Sequence, residues 1–445
     1  MFGMEQTLFF YDLETSGLRP REDRIMQFAG QRTTLDLEPI GEPVNILVKM
    51  TTDALPSPGA INVTGITPQK TLEEGISEAE FCRKMVEEIF TPGTVALGYN
   101  TVRFDDEFMR AIFWRNFQDP YEWEWKDGRS RWDMLDVVRI TRALRPEGIE
   151  WPVSPEGKPT NRLELLTKMN GLSHKHAHDA LSDVYATIAV AGLIRDRQPD
   201  LFKFLFGMRG KREVAKLVNL DNPKPFVYAS GRYANEFNKT TVAIPILSSR
   251  NGNVLVYDLR YSMEELLERE NFYPIVKELC LNKCPAVAPI SVLDKHDGWE
   301  KIGLSKEIVK ENLKSLNEHP EFIDQIKAEN ERAIEFPPAE EPEAAIYDGF
   351  LNNRDRIKVA AVRNADEARL VDFHLDFDDE RLSELLLHYK GRNFPKTLSE
   401  HENEEWEKYR LARLEKQSQR FLEELEIVKD DFVKEELRLY YESLM

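Results

Sequence analysis

The tripeptide Asp12-Leu13-Glu14 ends the apolar run Leu8-Phe9-Phe10-Tyr11, and it constrains the chain more than any other feature. Side chains two apart on a β-strand share a face. A strand here aims both carboxylates at one spot, while Phe9, Phe10 and Tyr11 bury the segment. Two acids so close repel, and each raises the other's pKa unless positive charge sits between them. A hard divalent cation with oxygen ligands meets that need. An isolated Asp-x-Glu is usually a solvated strand end. This one is followed downstream by further acidic and imidazole groups, which favours a site.

The second acidic element is the segment Gly98-Tyr-Asn-Thr-Val-Arg-Phe-Asp105-Asp106-Glu107-Phe108. A strand over Thr94–Leu97 ends in a Gly-Tyr-Asn turn, and a helix starts near the aspartate pair, one of which can cap it. The third, His178-Asp179-Ala-Leu-Ser-Asp183, opens a helix that turns Val184, Ile188 and Ala191 inward. Positions five apart lie about 140° around a helix, so His178 and Asp183 converge only if His178 sits on the preceding loop. Asp183 then falls in the first turn, where the helix dipole favours a carboxylate. His174, His176 and His178 also raise the thought of zinc. Abundant carboxylates and no nearby cysteine argue against it.

A length of 445 residues suggests about three domains. At 41% apolar and 31% charged residues the composition is that of a globular chain. Residues 1–197 alternate strand-like runs (Thr7–Asp12, Val44–Lys49, Thr94–Tyr99) with helical stretches (Ser77–Phe90, Asp106–Asn116, Asn161–Met169, Asp179–Arg197), an α/β pattern. Residues 198–340 begin with a short helical connection. Strand-like segments such as Thr241–Ile246 and Asn253–Asp258 follow, then a helical stretch from Ser305 broken at His319-Pro320. A proline-rich acidic segment, 335–342, reads as a linker. Residues 346–445 are helical, with apolar positions at three and four spacing (Leu382, Leu385, Leu386, Tyr389) against charged, solvated faces.

The longest apolar candidate, Ala186–Ile194, is far too short to span a membrane, and the N-terminus lacks the pattern of a signal peptide. Cys82, Cys280 and Cys284 form neither a disulfide framework nor a zinc set. A reducing cytoplasm is the expectation. A net charge of −19 argues against a general nucleic-acid coat protein. It leaves room for a nuclease, whose metal ions supply their own positive charge.

Asp12-x-Glu14, then Asp105 in Tyr-Asn-x-x-x-Phe-Asp, then His178-x-x-x-x-Asp183 resembles the DEDDh branch of the DnaQ-like 3′–5′ exonucleases, in that family's order. Gly98-Tyr-Asn-x-Val-Arg-Phe-Asp-Asp-Glu, Ser130-Arg-Trp-Asp, Ala143-Leu-Arg-Pro-Glu-Gly-Ile, Asn282-Lys-Cys-Pro and Arg392-Asn-Phe-Pro-x-Thr-Leu are similar to the bacterial exonuclease I family over essentially the whole chain. The resemblance implies an RNase H-like exonuclease domain, an SH3-like β-barrel-containing domain and an α-helical C-terminal domain, the last two embracing the strand before the active site. It also implies 3′ to 5′ degradation of single-stranded DNA to nucleoside 5′-monophosphates, with a role in DNA repair and recombination.

Two Mg²⁺ ions, with Mn²⁺ as a substitute, would be held about 4 Å apart, to activate water and stabilise the leaving oxygen. Asp12 would bridge them, with Glu14 and Asp183 beside it and Asp105 binding directly or through water. His178 would take the proton of the attacking water. Asp105 over Asp106 as ligand rests on motif alignment alone.

The aromatic loop Asp119-Pro-Tyr121-Glu-Trp123-Glu-Trp125 offers rings for stacking on unpaired bases, or else core residues. The resemblance points to Glu14, Arg162, Arg110, Tyr121, Trp125 and Arg139 as substrate contacts. Arg145 and Lys224 would hold the acidic tail of single-stranded DNA-binding protein, while Lys211 and Arg212 remain ordinary surface cations. A monomer is the family expectation. Two other readings stand beside this one. One is an RNA exonuclease of the oligoribonuclease type, which the chain's length opposes. The other is a catalytically dead strand-binding module, which the retained acids oppose.

Overall fold

The computed structural model describes residues 6–445 except 175–178, 268–274, 333–336, 372 and 374. The first unit is built on five strands: β1 (Thr7–Thr15), β2 (Ile25–Thr33), β3 (Pro39–Leu47), β4 (Thr94–Gly98) and β5 (Ser130–Asp133). Their spatial order is β3-β2-β1-β4-β5. The β1/β2 and β2/β3 pairs are antiparallel, and β1/β4 and β4/β5 are parallel.

The central strand is buried on both faces, and its alternation assigns each side chain to a layer. Leu8 and Phe10 pack in the core with Val184, Ala191 and Ile194 of the helix Ala180–Arg197. Phe9, Tyr11 and Leu13 pack on the other side with Phe81, Phe108, Ile112 and Phe113. Each such aromatic contributes roughly 1.5–3 kcal/mol of burial, so a slip of one residue would turn every one of them to the wrong layer.

The second unit holds β6 (Phe226–Ala229), β7 (Thr240–Ser248), β8 (Val254–Asp258), β9 (Val276–Leu279) and β10 (Ala286–Pro289). They form an antiparallel sheet ordered β10-β6-β7-β8-β9. Val227, Ala229, Val242 and Ile244 share a core with Val137, Ile140 and Leu144 of the first unit, so the two are packed together.

The C-terminal helices include Glu380–Asn393, Glu400–Glu426 and Asp431–Leu444. The longest starts in a capping box, with Ser399 and Glu402 satisfying each other's backbone N–H groups. Leu414, Phe421, Leu437 and Tyr440 pack on Met26, Met50 and Ile61. Leu382, Leu385 and Tyr389 pack on Trp114 and Phe117.

The acidic segment expected to be a linker is tied down at its end. Trp114 donates to the Pro342 carbonyl at 2.8 Å. Glu343 is buried with Asp53 among Arg24, Arg392 and Arg413. Those guanidiniums hold both carboxyls well below their usual range despite complete burial.

Several expectations move. The strand expected over Val44–Lys49 begins at Pro39, and β2 and β5 carry no clear alternation in sequence because both faces are buried. The helix expected over Ser77–Phe90 is α-helical only over Glu78–Lys84, then widens into a π-turn over Met85–Ile89. Neither Asp105 nor Asp106 caps its helix: the cap position is Phe104, and both acids sit in the first turn, free for other partners. Among the described residues no helix is long and apolar enough to cross a membrane.

Candidate active site

Asp12 and Glu14 have the parity of Leu8 and Phe10, so they face the layer of the helix Ala180–Arg197. They project beyond the apolar core at the carboxyl end of β1, where parallel strands commonly present a ligand site. That helix starts beside them. Its cap is Asp179, whose side chain accepts from the Ser182 N–H at 3.3 Å, and Asp183 follows in the first turn. Asp12, Glu14 and Asp183 thereby bring carboxylate oxygens within 4.8 Å of one another. This set of oxygen donors fits a hard divalent cation.

Asp105 approaches the same end of β1 from the helix Asp105–Arg115. Its Oδ1 accepts the Leu13 N–H at 3.1 Å, which fixes it beside the other three although it does not join their group. Asp106 is used elsewhere. It accepts from the Tyr11 hydroxyl and from the Arg131 guanidinium, all buried. Only the fold separates these neighbours: one acid is neutralised by an arginine, and the other faces the carboxylate cluster.

Burial and mutual repulsion dominate the electrostatics of the cluster. Burial first, then Asp105, Asp183 and Asp179, push the Asp12 carboxyl well above its ordinary range. Glu14 is pushed up to about 9 by burial and by Asp12, Asp183 and Asp179. Asp105 is raised by burial and by Asp106. The upward shifts mean that a divalent cation would bind there in competition with protons.

His178, expected as the base, lies outside the described residues. His174, noted in sequence only as one of three histidines, places Nε2 2.5 Å from Asp183 Oδ1 and Nδ1 3.2 Å from Thr167 Oγ1. Asp133 was visible only as part of a motif. It receives N–H groups from Asn100, Val102 and Leu135, and so fixes the turn that leads into Asp105. These supporting roles leave no local sequence signature.

The substrate candidates fall into different settings. Trp125 is 65% exposed, whereas Trp123 is core, packed edge-on against Tyr11 and Phe113 and tilted against Phe90. Tyr121 is half-buried beneath Arg110, whose guanidinium lies 5.5 Å from the ring and pairs with Glu107 and Glu124. Arg139 pairs with Asp136 at 2.6 Å. Arg162 precedes the helix Leu163–Met169, largely exposed and paired with Glu164. Arg145 donates to the carbonyls of Leu144 and Val292, and Lys224 is exposed.

Family models match in three stretches: "Exonuclease" over residues 9–191, "Exonuclease I SH3-like domain" over 209–330, and "Exonuclease I C-terminal domain" over 340–439. The chain is 39% identical over 436 residues to exodeoxyribonuclease I of Haemophilus influenzae, covering 93% of this chain and 92% of that protein. It is 40% identical over 426 residues to exodeoxyribonuclease I of Escherichia coli, covering 91% and 89%. The crystal structure of E. coli exonuclease I in complex with a dA16 oligonucleotide superposes with a TM-score of 0.94 at 37% identity, covering 99% of this chain and all of that one. A zinc-bound form of the E. coli enzyme–single-stranded DNA complex gives 0.92 at 36% identity, with 99% and 100% covered.

Proposed function

The chain belongs to the exonuclease I family, and from that membership we propose that it is an exodeoxyribonuclease that degrades single-stranded DNA from the 3′ end to nucleoside 5′-monophosphates. The observation that carries this reading is the convergence of Asp12, Glu14 and Asp183 on one point, with Asp105 alongside. Three units serve it: residues 1–197 for chemistry, and 198–340 and 346–445 to hold the strand.

The reading assigns Asp12, Glu14, Asp105 and Asp183 to the binding of two Mg²⁺, or Mn²⁺ in their place. When bound, those ions supply Lewis-acid stabilisation of charge at the phosphodiester. His178 accepts the proton of the attacking water, a role suited to an imidazole. Glu14 and Arg162 orient the terminal nucleotide. Tyr121 and Trp125 stack on bases, and Arg110 and Arg139 face the backbone. Arg145 and Lys224 receive the acidic tail of single-stranded DNA-binding protein. The protein acts as a cytoplasmic monomer in DNA repair and recombination.

The test is release of mononucleotides from matched DNA and RNA strands labelled at the 3′ end, with Mg²⁺ or EDTA. DNA-selective, Mg²⁺-dependent release that disappears in Asp12→Ala is expected. Equal digestion of RNA would favour the oligoribonuclease-type reading, because the 2′-OH is what separates the polymers. No release under any condition would leave a binding module.

A further inference from the structure

Two of the segments that carry the family resemblance, Ser130-Arg-Trp-Asp and Asn282-Lys-Cys-Pro, supply no carboxylate to the cluster, yet the fold brings them together. Arg131 lies on β5, the edge strand of the first sheet. Facing it is the turn 280–284 of the second unit, closed by the Lys283 N–H on the Cys280 carbonyl at 3.2 Å. The Arg131 guanidinium donates to the Asn282 carbonyl at 2.9 Å, and the Cys284 thiol donates to the Arg131 carbonyl at 3.2 Å. The turn therefore grips Arg131 at its head and at its backbone. Cys284 is left-handed, with φ of 46°. That is uncommon for a residue with a side chain and persists only where surrounding contacts impose it.

The grip reaches the first turn of the helix Asp105–Arg115, whose three consecutive acids are held in three directions. Asp105 accepts the Leu13 N–H beside the cluster. Asp106 accepts from the Tyr11 hydroxyl and pairs with Arg131. Glu107 accepts from Lys283 of the same turn at 3.2 Å, and from the Tyr347 hydroxyl of the C-terminal unit. Neighbours on a helix are about 100° apart, so anchoring Asp106 and Glu107 also sets where Asp105 points. Charge acts alongside geometry. A guanidinium is always ionised, so Arg131 compensates the acid next to Asp105. The side chains of Arg131 and Asp106 are 4% and 2% exposed, too deep for a strand to reach. Glu124, the other carboxylate on Arg131, is shared with Arg110.

We propose that Arg131 is a positioning residue for the carboxylate cluster, and that the turn 280–284 holds it in place, so that cation binding in the first unit depends on the second. Arg131 acts through Asp106: while the two are paired, Asp106 is kept off Asp105 and its charge is cancelled. The inference rests on the reading of the cluster as a divalent-cation site.

The test uses Mn²⁺ as the probe, its binding to the full chain followed by electron paramagnetic resonance with no DNA present. Wild type should bind Mn²⁺ and Asp12→Ala should not, which places the signal at the cluster. Arg131→Gln should weaken binding about tenfold, the scale for groups that orient ligands from behind. Arg131→Gln/Asp106→Asn should recover most of that loss, because no unpaired buried charge is left. Cys284→Gly accepts the left-handed turn but lacks the thiol donor, and should weaken binding severalfold. Affinity for oligo-dT in EDTA should stay at the wild-type value in all three variants. Wild-type Mn²⁺ affinity in Arg131→Gln overturns the proposal, as does a double variant that recovers nothing. An equal loss of oligo-dT affinity also overturns it, since that marks general loosening. Wild-type Mn²⁺ affinity in Cys284→Gly overturns the part given to the turn. Should Arg131→Gln not fold, the double variant decides: tight Mn²⁺ binding supports the proposal and weak binding overturns it. If wild type itself binds no Mn²⁺, the cation reading fails; if wild type binds and the variants match it, this inference alone is lost.

Discussion

Replacing Asp12 by asparagine should both abolish activity and stabilise the metal-free protein. Asp12 shares the cluster with Glu14 and Asp183, with oxygens within 4.8 Å, and two unit charges at that separation repel by about 3.5 kcal/mol at an effective dielectric of about 20. The full repulsion is not realised, because Glu14, raised to about 9, stays largely protonated at pH 8. A gain of about 1–3 kcal/mol remains, which for a unit of about 200 residues raises the melting temperature by roughly 2–4 °C per kcal/mol. Differential scanning calorimetry at pH 8 in EDTA should therefore show Asp12→Asn melting several degrees above wild type. Adding Mg²⁺ should stabilise wild type and leave the variant nearly unmoved, since ligand binding to the native state alone raises stability. Equal melting temperatures in EDTA, or equal Mg²⁺ stabilisation of both proteins, would refute the reasoning that the cluster is a repulsive site relieved by a cation.

The remaining expectations follow from the same coordinates. In EDTA, wild-type stability should fall as pH rises from about 4.5 to about 9, because over that interval the folded Glu14 keeps a proton that the unfolded one has lost; a rise in melting temperature across it, with Mg²⁺ flattening nothing, would contradict this. Glu343→Gln should cost about 3–5 kcal/mol in chemical unfolding by leaving buried arginines short of a partner, and a loss below about 1 kcal/mol would dismiss the network's role. Because Asp53 and Glu343 are held below their usual range, their contribution is complete above the unfolded carboxylate pKa and is lost only as pH falls through the depressed one. Trp125→Ala should weaken strand binding by about 1–3 kcal/mol without lowering the melting temperature, whereas Trp123→Ala should cost about 3–5 kcal/mol of stability; unfolding measurements showing the reverse assignment would reject both.

The carboxylate pair was legible because a strand's period of two is rigid: once Leu8–Tyr11 is a strand, Asp12 and Glu14 must share a face. The helix opened by Asp179 was legible for a similar reason, since a cap followed by an apolar helical face is a local signal. Composition alone did not separate Trp125, which the resemblance picked out, from Trp123, because the two differ in what packs above them. The proline-rich segment 335–342 read as a linker, and Glu343 just beyond it is a buried partner of three arginines contributed by distant segments.

By itself the sequence determined the order of elements, the parity that aims the acids, and the family to which the motifs belong. Those are matters of near neighbours along the chain and of whole motifs held intact. Only the tertiary structure decided that Arg131 neutralises Asp106 while Asp105 faces the cluster, and that His174 touches Asp183. Each depends on which charge another part of the chain brings within a few ångströms, and in a buried setting that proximity, not residue type, sets whether a carboxylate is paired, protonated or ready for a cation.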